Sequence, residues 1–120
     1  MAVKIILIDD DLDNLEALSL TLTFSNYSTF AFLNGDNLLE RTRAISPDLI
    51  IIDVMLGYED GRKLCLQLKH SADFSHIPVV LISASPKLLQ PMLCQAYACI
   101  EKPFDIGQVT RLIENHLLIN

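Results

Sequence analysis

No apolar run in this chain approaches the roughly 18 residues that a membrane-spanning helix requires. The opening residues, Met1-Ala2-Val3-Lys4, lead straight into an apolar segment and offer no basic region, hydrophobic stretch and cleavage site of a secretory signal. Both absences point to a cytoplasmic chain with no membrane insertion. Lys and Arg together number only nine against fifteen Asp and Glu, for a formal net charge of −6. That balance argues against direct nucleic-acid binding, which relies on clustered cations facing a phosphate backbone. The three cysteines, Cys65, Cys94 and Cys99, show no metal-ligand spacing. Their odd number and apolar neighbours predict reduced, mostly buried thiols. There is also no repeat, no low-complexity tract and no linker rich in Pro, Gly or Ser, so residues 1–120 read as one domain.

What the chain does have is apolar material, 51% of its residues, arranged in alternation. Val3 to Ile8, Asp48 to Asp53 and Pro78 to Ile82 are short, nearly continuous apolar runs, the form of strands covered on both faces in a parallel sheet. Weaker strands are predicted at Ser28 to Phe32 and Ala98 to Glu101. Between the runs, Leu12, Leu15, Leu18 and Leu22 recur at steps of three or four and form the stripe of a helix, with Asp11 or Asp13 as its N-cap. Further helices are predicted over Asn37 to Arg43, Arg62 to His70 and Ile106 to Leu118. Strand and helix alternate five times, which implies an α/β fold, a doubly wound five-stranded parallel sheet with about five helices; the order expected for it is the flavodoxin-like one, 2-1-3-4-5. Such sheets place functional groups at the carboxyl ends of their strands.

Those ends carry a distinctive set. The first run stops at Asp9-Asp10-Asp11 and the third at Asp53. Strands one and three are neighbours in this order, so the carboxylates are expected to converge. Carboxylates gathered without cations repel unless they retain protons or bind a hard divalent metal, and Mg²⁺ suits them best. Asp9 and Asp10 alone fit helix capping or solvation as well as metal binding. Asp53 caps no obvious helix. The fourth run ends in Ser83-Ala84 and the fifth in Lys102-Pro103-Phe104, which adds a hydroxyl and an ammonium to the carboxylates. Together these groups are what an anionic phosphoryl group needs.

Five segments in order, Ile8-Asp9-Asp10-Asp11, Pro47 to Leu56, Asp60-Gly61, Val80 to Ala84 and Glu101 to Asp105, resemble the receiver domains of two-component response regulators. The resemblance covers essentially the whole chain. It implies that Asp53 accepts a phosphoryl group from a phosphohistidine on a histidine kinase or histidine phosphotransfer protein, and that the changed domain then acts on a downstream partner. It also implies that Mg²⁺ is held by Asp10, Asp53 and the Met55 carbonyl, with Asp9 acting through water. Ser83, Ala84 and Lys102 are implied to bind the phosphoryl group, and the Lys102–Pro103 peptide to be cis. The chain would be a signalling phosphoacceptor, catalysing only its own phosphorylation and dephosphorylation.

Three positions depart from the family's pattern. Gly57 stands where a proline four residues after the acceptor is usual, which predicts a more mobile loop. Cys99 stands where the family has an aromatic that swings inward on activation, with Tyr97 as a possible substitute on the same face. Pro86 and Pro91 fall in the segment of the fourth helix, which is therefore expected to be short, irregular or displaced. There, Leu88, Leu89, Met92 and Leu93 are expected to be core rather than an exposed patch. Two other classes fit parts of the pattern: a pseudo-receiver that only binds proteins, and a small Mg²⁺-dependent phosphatase using the Asp9/Asp11 pair.

Overall fold

The computed structural model describes residues 2–89 and 94–119, with the backbone alone for 117–119. In chain order the strands are β1 (Lys4–Ile8), β2 (Ser28–Phe32), β3 (Leu49–Asp53), β4 (Met55–Leu56), β5 (Glu59–Asp60), β6 (Val79–Ser83) and β7 (Ala98–Glu101). The helices are α1 (Leu12–Phe24), α2 (Leu38–Ile45), α3 (Gly61–Lys69) and α4 (Ile106–Ile119). Five strands form one parallel sheet in the order β2-β1-β3-β6-β7, which is 2-1-3-4-5 when its own strands are counted. β4 and β5 pair antiparallel as a separate two-residue ladder. The sequence pattern did not anticipate that hairpin, because two-residue strands are too short to show a period.

The apolar runs are strands because the sheet is covered on both faces, so side chains pointing either way are buried. Ile6, Ile8, Ile50, Ile52 and Leu81 face α2 and α3, where they pack with Leu38, Leu64, Cys65 and Leu68. Ile5, Leu7, Ile51, Val80 and Ile82 face α1 and α4, where they meet Leu15, Leu22, Val109 and Ile113. The α1 cap is Asp11, whose carboxylate accepts the Asn14 N–H at 3.2 Å. The start of α4 is closed reciprocally: Asp105 Oδ1 accepts from Gln108 N (3.0 Å) and Gln108 Oε1 from Asp105 N (3.1 Å), a capping box.

The expected fourth helix begins as a single 3₁₀ turn, Pro86–Leu88, with the proline at its start. Its continuation through Gln90, Pro91, Met92 and Leu93 lies outside the described residues. Leu88 and Leu89 pack, half-buried, against the core on the α2–α3 face. No helix among the described residues is long and apolar enough to cross a membrane.

None of the three cysteines is in a disulfide; Cys65 and Cys94 are buried and Cys99 half-buried. Burial pushes the Cys65 thiol up to about 12, and its Sγ donates to the Cys94 carbonyl at 3.1 Å. A thiol so poor in thiolate is a poor nucleophile. Native protein at neutral pH is therefore expected to leave Cys65 unmodified by iodoacetamide over a time in which all three cysteines react in urea. Peptide mass mapping reads the pattern, and fast native labelling of Cys65 would contradict the burial argument.

Candidate functional site

The parallel register brings the strand ends together. Ile8 pairs with Ile52, so Asp9 and Asp53 leave β1 and β3 side by side. Ser83 pairs with Glu101, so Lys102 begins just past β7, two strands away from Asp53. Its four-carbon stem reaches across the end of β6. The ammonium donates to Asp53 Oδ2 and lies 3.5 Å from Asp9 Oδ2, so one cation bridges two carboxylates.

Asp53 is only 6% exposed, the most enclosed carboxylate of the described residues. A carboxylate that deep needs donors on both oxygens. Oδ2 has Lys102, and Oδ1 accepts the Met55 N–H at 2.9 Å. For Asp9, burial pushes the carboxyl up and the Asp53 charge adds to it; the Asp11 N–H on Oδ1 (2.9 Å) and Lys102 offset only part. Lys102 shows the complementary effect. Burial opposes its charge, but the Asp53 hydrogen bond and the charges of Asp53 and Asp9 outweigh it and raise the ammonium above the ordinary lysine value.

Asp10 is exposed and stands at the mouth beside the β4–β5 turn; a Cβ built on Gly57 would lie 3.6 Å from its Oδ2. Met55 is on the rim, its side chain exposed and its backbone N–H donated to Asp53. Ser83 is fully buried, and its Oγ accepts from Ser85 N at 3.0 Å. Ala84 is exposed next to it, on the wall of a cavity of about 500 Å³ that runs from Asp9 and Lys102 between α1 and Phe104. The Lys102–Pro103 peptide is cis.

The residues expected to couple the site to a surface diverge. Tyr97 precedes β7 rather than lying in it, and its ring meets His116 of α4 edge-on at 5.4 Å. Cys99 packs instead with the core on the α2–α3 face. The Tyr97 backbone N–H donates to the Val79 carbonyl at 2.8 Å, just ahead of β7.

Gly57 explains its own departure. Its φ of +64° lies in the left-handed region, where a proline ring fixed near φ −65° cannot go. The loop is a tight hairpin built around that residue. Gly57→Pro is expected to destabilise the protein by at least about 1 kcal/mol in urea unfolding, because the native backbone must change to admit the ring. An unchanged midpoint would show that the turn has no such preference.

Two residues were passed over as ordinary motif members. Gly61 opens α3 with its N–H donating to the Val54 carbonyl (2.8 Å), and a Cβ there would stand 2.2 Å from the Asp53 carbonyl oxygen. Asp60 caps α3 by accepting from Arg62 N (2.9 Å), and the hydrogen bond from the Arg62 side chain holds its carboxyl below the ordinary value. An Asp-Gly pair preceding a helix was the available signal; that the glycine presses on the acceptor's backbone was not.

The family model for the response regulator receiver domain matches residues 5–114. Over 84 residues, 70% of this chain, the sequence is 36% identical to the response regulator PleD of Caulobacter vibrioides and 32% identical to the response regulator MprA of Mycobacterium tuberculosis. Those matches cover 18% and 36% of the respective relatives, so the chain spans about a fifth to a third of their length. Among solved structures, the signal receiver domain of a signal transduction histidine kinase from Syntrophus aciditrophicus superposes with a TM-score of 0.85 at 30% identity, over 95% of this chain and 89% of that one. The chemotaxis response regulator CheY4 of Vibrio cholerae shares the fold at a TM-score of 0.84 and 17% identity, over 96% and 98% of the two chains. With the family model spanning nearly all of the chain and an acidic, lysine-bridged site at the carboxyl ends of its sheet, this protein belongs to the response regulator receiver domains.

Proposed function

We propose that the chain is a cytoplasmic phosphoacceptor in two-component signalling, with Asp53 as the nucleophile. The observation that carries this reading is the state of Asp53: nearly buried, with Met55 N–H on one oxygen and the Lys102 ammonium on the other. Such restraint orients a carboxylate for in-line attack, and phosphoryl transfer asks little more of a protein than position and charge neutralisation. A carboxylate oxygen forms the new O–P bond while the P–N bond to the donor's imidazole breaks and the ring leaves with the bonding pair. Lys102 is then close enough to pair with the arriving phosphoryl oxygens. Ser83, whose Oγ now serves Ser85 N, would turn its hydroxyl toward them, with the backbone at Ala84 alongside.

Among the described residues no three side chains of metal-binding type stand together as a cage. Two carboxylates and a carbonyl nevertheless suit Mg²⁺, which keeps several waters and takes the rest of its shell from phosphate. Asp10, Asp53 and the Met55 carbonyl would hold it, with Asp9 through water. When bound, it would neutralise the charge that builds on the phosphoryl oxygens. The partners on this reading are a histidine kinase or phosphotransfer protein upstream and a protein target downstream.

Incubation with acetyl phosphate or phosphoramidate and Mg²⁺ is expected to add the mass of one phosphoryl group, lost in Asp53→Asn and prevented by EDTA. No uptake from these donors or from any histidine kinase would leave a module that only binds proteins.

A further inference from the structure

From Ala17 to Gly35 the chain carries no charged residue, nineteen positions in a row within a molecule of net charge −6. These residues form most of α1 and all of β2, at one edge of the sheet. β2 pairs on one side only, with β1. The strand itself holds no lysine, proline or inward charge of the kind by which exposed edge strands normally block further pairing, and the one cation against it among the described residues, the Arg41 guanidinium 4.3 Å from the Phe32 ring, lies on the face away from α1. Leu12, Leu20, Phe24 and Leu33 are exposed beside it, Leu20 by 59% and Phe24 by 79%. Leu12, Leu20, Ala31 and Leu33 line a groove between the helix and the edge. α1 is thus apolar on two sides, and its core-facing stripe of Leu15 and Leu22 does not account for the second.

We propose that this edge is a homodimer interface, in which β2 of two copies pairs antiparallel and extends the sheet across a two-fold axis. Charge selects a second copy as the occupant. Two molecules of charge −6 repel over most of their surfaces, and this is where they can approach without opposing carboxylates. An isologous contact also requires a patch complementary to itself, which an uncharged edge strand with free backbone donors and acceptors provides. The packing agrees. α1 packs chiefly over β2 and less over β1, so a perpendicular two-fold axis would bring the two α1 helices side by side on one face of the extended sheet. Ser19 Oγ lies 2.6 Å from Thr29 Oγ1, which levels the middle of α1 with the middle of β2. A two-fold axis just outside β2, level with its centre, therefore sets Leu20 near its own mate. Glu16, the charged residue of the groove lining, falls a turn away from that axis.

Sedimentation equilibrium of the unphosphorylated chain across a concentration series tests this. A five-residue edge gives a small interface, so a discrete dimer with a Kd on the order of 100 µM is expected. Ala31→Lys and Leu20→Glu should each weaken it at least tenfold while keeping the wild-type circular dichroism spectrum and thermal midpoint. They change net charge in opposite directions, so a shared loss cannot come from overall repulsion. A monomer at every concentration, an open-ended aggregate, or a dimer of undiminished affinity in both variants would overturn the proposal.

Discussion

Lys102→Met is expected to lower stability by about 2–3 kcal/mol at neutral pH, as a loss of urea midpoint. The substitution keeps the length of the stem and removes only the ammonium. It leaves Asp53 at 6% exposure with the Met55 N–H as its remaining donor, facing an Asp9 already resisted by burial. Breaking a buried ion pair by deleting one partner costs about 3–5 kcal/mol, and the partial exposure of this lysine brings the figure down. Two signatures distinguish the mechanism from lost packing. Mg²⁺ should restore part of the variant's stability and do less for the wild type, since a divalent ion can replace the missing cation. The second is pH. Lys102 is raised above the ordinary lysine value of 10.5, so its stabilisation is fully present below that value and disappears as pH rises through the higher folded-state value. The two proteins should therefore converge at strongly alkaline pH. Equal midpoints at pH 7 would mean that the bridge contributes nothing to folding.

Gly61→Ala is expected to cost about 3 kcal/mol and to slow phosphoryl uptake at Asp53 at least tenfold. The added methyl would sit 2.2 Å from the Asp53 carbonyl oxygen, 2.8 Å from Ile52 Cγ2 and 2.9 Å from the Asp53 carbonyl carbon. Two of those three atoms are backbone, so no rotamer change relieves the clash, and α3 or the end of β3 has to move. Overpacking of this kind costs about 1–3 kcal/mol where side chains can yield, and a rigid neighbour puts the effect at the upper end. Because the displaced atoms belong to the acceptor itself, the shift also disturbs the Met55 N–H contact on its Oδ1. Urea unfolding reads the first effect and acetyl phosphate labelling the second. Full labelling at wild-type rate in a destabilised variant would show that Gly61 serves the fold and not the acceptor's placement.

The contrast between these two residues indicates how far the sequence carries. Lys102 was legible because an ammonium at a strand end, in register with carboxylates at two others, has few structural reasons to be there. Gly61 was visible only as a letter in a motif. The strands were legible for a related reason: β1, β3 and β6 are buried on both faces, so their apolar runs are unbroken, and their alternation with helices makes the sheet parallel. The β4–β5 hairpin left no periodic trace, and the segment after Ser83 was readable only as a place where prolines disfavour a regular helix. That Tyr97 meets His116 while Cys99 packs against the core is a matter of tertiary contact with no local signal.

By itself the amino-acid sequence determined the fold class, the reduced thiols and the set of groups gathered at the sheet's end. Each is written in composition, period or local chemistry, all of which survive without coordinates. The tertiary structure decided which oxygen of Asp53 each donor takes, that Lys102 bridges Asp9 as well, that Gly57 holds a backbone no proline can adopt, and that Tyr97 meets His116 while Cys99 packs against the core. It also decided that α1 turns apolar side chains outward beside an open strand. These are relations between residues distant in sequence, set by how strands register and helices pack, and no local pattern records them.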